Sequence, residues 1–157
     1  MLLPSPQLKN YHLNDMEENK ELDLKSIKVY RTLEGTIFEL VTAIILIVTY
    51  AVAIAKNYFD FDNFQGKHMA TIVISVISIA FLVMAYSPKN ISIGGKAENI
   101  RQVEVAIRTI RIYAVKFALF CLLMVTVSPD NPIIKTAFGI AIVVTALVST
   151  IIFRKLK

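Results

Sequence analysis

Residues Thr36 to Ala55 read TIFELVTAIILIVTYAVAIA, an apolar run broken by one ionisable residue, Glu39. A bilayer hydrocarbon core is about 30 Å thick, and a helix rising about 1.5 Å per residue crosses it in about 20 residues. The run therefore has the length and polarity of a transmembrane helix. Its β-branched residues would favour strands in water. In lipid, however, every backbone N–H and C=O must bond internally, and the run lacks the alternation of a barrel strand, so a helix is predicted.

Three further segments pass the same test: Met69 to Tyr86, Ile112 to Ser128, and Ile133 to Phe153. Of 157 residues, 55% are hydrophobic and only 18% are charged, and the charges bunch between the apolar runs instead of covering a soluble surface. The expected fold class is an all-α membrane protein with four transmembrane helices. Residues 1–35 are expected to form a cytoplasmic tail containing a short helix, and residues 36–157 the transmembrane domain. The opening Met1-Leu2-Leu3-Pro4-Ser5-Pro6 lacks the basic segment, apolar run and cleavage site of a secretory signal, so the first span is expected to direct insertion and to stay.

The connectors set orientation, because Lys and Arg flanks are retained on the cytoplasmic side. One side collects Lys9, Lys20, Lys25, Lys28 and Arg31 of the tail; Lys89, Lys96, Arg101, Arg108 and Arg111 of the middle connector; and Arg154, Lys155 and Lys157 at the C-terminus. The other side holds Lys56, Lys67 and Lys135. Both termini are expected in the cytoplasm. The net charge of +5 follows from these flanks, and with no basic and aromatic nucleic-acid module present it does not indicate a nucleic-acid partner.

Between the second and third spans, Ile100, Val103, Ile107 and Ile110 recur at helical spacing while Arg101, Glu104, Arg108 and Arg111 take another face. No Gly or Pro separates this amphipathic stretch from the third span, so one helix is expected from about Glu98 to Ser128, with Gly94 and Gly95 before it. A second cytoplasmic helix is expected after a cap at Asn14 or Asp15, with Leu24, Ile27, Tyr30 and Leu33 as its stripe. Pro129-Asp130-Asn131-Pro132 predicts a tight reversal that makes an antiparallel hairpin of spans three and four. Tyr58, Phe59, Phe61 and Phe64, with Asp60 and Asp62 between them, suit an aromatic belt at the outer boundary better than a cation loop.

Ionisable groups inside apolar spans are costly and often functional, which singles out Glu39 and Lys116. Each is expected near the cytoplasmic end of its span. They either snorkel independently to the interface or pair to fix how spans one and three meet. Arg101, Arg108 and Arg111 are a candidate face for anionic headgroups or an acidic partner. Ala137, Ala141, Thr145 and Ser149 form a small-residue stripe on span four, a candidate helix-packing face, and Thr71, Ser75, Ser78 and Ala85 suggest a similar face on span two.

Catalytic and metal signals are weak. His12 and His68 fall in distant segments, Cys121 is the single cysteine and lies deep in a span, and no HExxH, phosphate-binding glycine loop or nucleophile elbow occurs. No cofactor is expected.

With the spans placed, a resemblance extends from about Phe38 to Val125. The first span, the aromatic loop ending Asn63-Phe64-Gln65-Gly66-Lys67, the second span ending Tyr86-Ser87-Pro88, then Glu98-Asn99 and Arg108-Thr109-Ile110-Arg111, resemble an uncharacterised family of small bacterial membrane proteins near the peptide-toxin immunity membrane proteins. The resemblance implies a bacterial inner membrane and a protective or regulatory role, with no catalytic residues. The expected function is a non-enzymatic accessory subunit of a larger membrane complex, or a small regulatory or immunity factor. Its expected partners are the bilayer, anionic lipid at the cytoplasmic face, and a protein or second copy within the membrane. An oligomeric transporter or channel is the alternative, and a membrane-embedded lipid enzyme a third class.

Overall fold

The computed structural model describes residues 32–59, 65–87, 100–127 and 131–156. These form four α-helices: α1 (Leu33–Ala55), α2 (Gly66–Met84), α3 (Ile100–Thr126) and α4 (Pro132–Lys155), with no strand among the described residues. All four are long and apolar enough to cross a membrane. The tail helix expected after Asn14 or Asp15, the Asp60 to Phe64 loop, Gly94-Gly95, and Pro129-Asp130 of the reversal lie outside the described residues.

α1, α2 and α4 each begin at a polar residue that satisfies an early amide of the helix. Thr32 Oγ1 accepts from Gly35 N at 3.1 Å, and Asn131 Oδ1 accepts from Ile133 N at 3.0 Å with Pro132 in the first turn of α4. At α2, Gln65 N donates to Nδ1 of His68 at 3.1 Å, so the buried imidazole satisfies a helix-start amide. The end of α1 is equally specific. Asn57 adopts φ 47°, its N–H donates to Ile54 O at 3.0 Å, and Tyr58 N donates to Ala53 O at 2.8 Å, the paired closure of a Schellman turn.

The third span continues without a break into the amphipathic stretch, and the resulting α3 is the hub. It packs along both α1 and α2 and also carries α4, whereas α1 and α2 meet only marginally. Glu34 bonds Arg108 near the helix starts and Lys56 reaches Thr126 O near the ends, so α1 and α3 run parallel. α2 is antiparallel to α3, with Thr71 at Cys121 and Ser78 at Ala114, and so is α4, with Phe138 at Phe120 and Phe153 at Gln102.

Small residues explain why α3 can hold so central a place. Ala114, Ala118 and Cys121 are fully buried, letting neighbouring backbones approach. The small face read on span two turns to meet them: Thr71, Ser75, Ser78 and Ala85 are all buried, and Ser78 Oγ donates to Ala114 O at 2.7 Å. Buried Thr42 and Thr49 return their hydroxyls to Phe38 O and Ile45 O within α1, each at 2.7 Å, leaving no donor in an apolar surround.

Candidate functional site

Two polar centres lie on opposite sides of α3. The first joins the start of α1, the end of α2 and the third turn of α3. Arg108 grips Glu34 with two prongs, Nε to Oε1 at 2.9 Å and Nη2 to Oε2 at 2.9 Å. Both side chains are substantially exposed, so this fork contributes no more than about 1 kcal/mol. One turn deeper, Arg111 is only 4% exposed. Its guanidinium carbon sits 5.7 Å from the centroid of the Tyr86 ring, and the Tyr86 hydroxyl donates to Oε1 of Glu39. Glu39 follows Gly35 by one turn on the same helix face, and Gly35 is where the Arg111 guanidinium lies closest to α1. Arg111, Tyr86 and Glu39 thus link all three helices. Arg111 Nη2 has no hydrogen-bond partner among the described residues.

The expected face of three arginines is therefore corrected. Arg101 and Arg108 are exposed, but Arg111 turns inward. It follows buried Ile107 by four residues, which places it on the same face, and the absent side chain at Gly35 leaves room for the guanidinium.

The second centre lies between α3 and α4. Lys116 Nζ donates to Ala141 O at 2.7 Å and to Thr145 Oγ1. Thr109 Oγ1 donates to Ser149 Oγ at 3.0 Å, and Gln102 Nε2 to Phe153 O at 3.2 Å. Below Lys116 the seam becomes apolar, with the Phe120 and Phe138 rings stacked at 4.0 Å. Of the stripe Ala137, Ala141, Thr145 and Ser149, the last three line this seam and Ala137 is exposed.

Of the two readings left open for Glu39 and Lys116, the structure does not make the pair: the carboxylate takes Tyr86 and the ammonium takes α4. At about 100° per residue, Lys116 lies about 140° round α3 from Arg111, so it points away from the α1 junction. The roles of Tyr86 and Gly35 escaped the sequence reading. Tyr86 stood as the final residue of an apolar run, and the one available signal was the four-residue step that sets Arg111 behind Ile107.

At the opposite end of the bundle, Lys56 Nζ donates to Thr126 O at 2.7 Å and so closes the carbonyl end of α3. Tyr58 and Phe59 are half-buried and pack edge-on against His68, with Phe59 also stacked at 6.1 Å on Tyr50. These two aromatics cap the bundle at that end. Comparison with protein-family models, with curated proteins and with solved structures found no match.

Proposed function

We propose that this chain is a non-enzymatic integral protein of a bacterial inner membrane, with both termini in the cytoplasm, acting as an accessory subunit of a larger membrane complex or as a small regulatory or immunity factor. One observation carries the reading: the ionisable residues inside the spans are used as fasteners between helices. Glu39 is held by Tyr86 of α2, and Lys116 by the backbone and Thr145 of α4. A transporter instead keeps such groups along a water-filled path. The basic flanks support the orientation through the positive-inside rule, and exposed Arg101, Arg154 and Lys155 at that end suit anionic headgroups.

Affinity purification of the full chain in a mild, lipid-preserving detergent tests this. A protein recovered at fixed stoichiometry supports the subunit reading. Ion or solute flux in liposomes containing the chain alone would replace it with transport, and lipid turnover would replace it with an enzyme.

A further inference from the structure

We infer that Lys116 docks a transmembrane helix of a different protein that carries an Asp or Glu near its middle. The inference rests on the accessory-subunit reading and names the chemistry of the partner.

Depth comes first. Lys116 lies ten residues before Thr126, the end of α3, and its acceptor Thr145 lies ten residues before Lys155, the end of α4. Each interval rises about 15 Å, so the ammonium stands about midway between the Thr126 end of α3 and the Lys155 end of α4, deeper than the place near the cytoplasmic end of its span that its position in the sequence suggests.

Among the described residues no carboxylate compensates its charge. Ala141 O and Thr145 Oγ1 are neutral acceptors, and Thr145 Oγ1 itself donates to Ala141 O at 2.8 Å. Within the four helices the carboxylates are Glu34, Glu39 and Glu104. Glu34 holds Arg108, Glu39 holds Tyr86, and exposed Glu104 belongs to the first turns of α3. A second copy of the chain has no helical carboxylate at the depth of Lys116, which argues for a different partner. An ammonium has three N–H donors, and two are taken, leaving one for an incoming acceptor.

Access and shape agree. Ile112, Leu119 and Leu123 are exposed large apolar residues that share a face of α3 with Lys116, spaced four, three and four apart. That is the seam along which a neighbouring helix packs. α4 borders it, so a helix laid on the seam would meet α3 directly and bring a mid-span carboxylate to Nζ in a charge-assisted hydrogen bond.

The test uses the purified full chain in liposomes and fluorescence energy transfer to synthetic leucine-rich transmembrane peptides of about 23 residues. One peptide carries a central Asp, one a central Asn and one neither. The Asp peptide is expected to associate about tenfold more tightly than the all-apolar peptide, the order of one strong interhelical bond. Lys116→Met should abolish the difference. Leu119→Trp, which blocks the seam and retains the ammonium, should weaken it. Equal association of the Asp and all-apolar peptides, or undiminished association with Lys116→Met protein of native helicity and size, overturns the inference. Co-purification from cells separates the two readings. A partner recovered equally with wild type and Lys116→Met leaves the subunit reading standing and removes Lys116 as its docking point, whereas no partner with either removes the subunit reading.

Discussion

A methyl group placed on Gly35 would stand 2.6 Å from Nη2 of Arg111 and 2.9 Å from its Cζ, so the guanidinium fills the space that a side chain at position 35 would need. Arg111 lies on Tyr86, and Tyr86 holds Glu39, so this close approach lies where α1, α2 and α3 come together at their shared end.

Gly35→Ala should therefore lower stability by no more than about 1 kcal/mol, since its methyl has to displace the buried but flexible end of the Arg111 side chain while Ala is the better helix former by about 1 kcal/mol. With Arg111→Ala already in place, the same change should be neutral or stabilising. Chemical unfolding in detergent measures both. An identical effect in the two backgrounds would show that the guanidinium does not depend on the missing side chain.

Tyr86→Phe keeps the ring beneath Arg111 and removes the donor to Glu39. It should cost about 1.5–3 kcal/mol in wild type, the usual range for a hydrogen bond to a charged group, and much less when Glu39→Leu is already present. By contrast, Glu39→Leu and Lys116→Met should add within about 0.5 kcal/mol, because the two residues serve different helix pairs. Strong coupling in this second cycle would contradict the opposed directions of the side chains.

Asn57 holds a left-handed conformation at the end of α1. Asn57→Ala should cost about 1 kcal/mol and Asn57→Gly should be neutral or slightly stabilising, since only glycine enters that region without a Cβ penalty. Thermal unfolding of the two variants orders them. Ala above Gly would mean that the Schellman closure is not what ends the helix.

The proposed orientation can be read by single-cysteine labelling on a Cys121→Ser background. A cysteine at exposed Gln65 should react with a membrane-impermeant reagent on intact cells, and cysteines at exposed Arg101 and Lys155 only after the inner face is opened. The reverse pattern would invert the topology.

Four helices were legible in the amino-acid sequence because the length and polarity of a span are one-dimensional properties, set by bilayer thickness and the need to satisfy the backbone. The cap at Asn131-Pro132, the unbroken run into α3, the small face of α2 and, apart from exposed Ala137, the small stripe of α4 were legible for the same reason, since each depends on residues within a few turns. Hydropathy treats all four spans alike, so it gave no sign that α3 would be the hub. Nor did it reveal that Arg111 would leave its polar neighbours, or that Glu39 and Lys116 would take separate partners. Those outcomes depend on the rotation of each helix about its own axis. That rotation is decided by where small residues on one helix let another approach: Ala114 and Ala118 at the centre, and Gly35 at the point where Arg111 turns in.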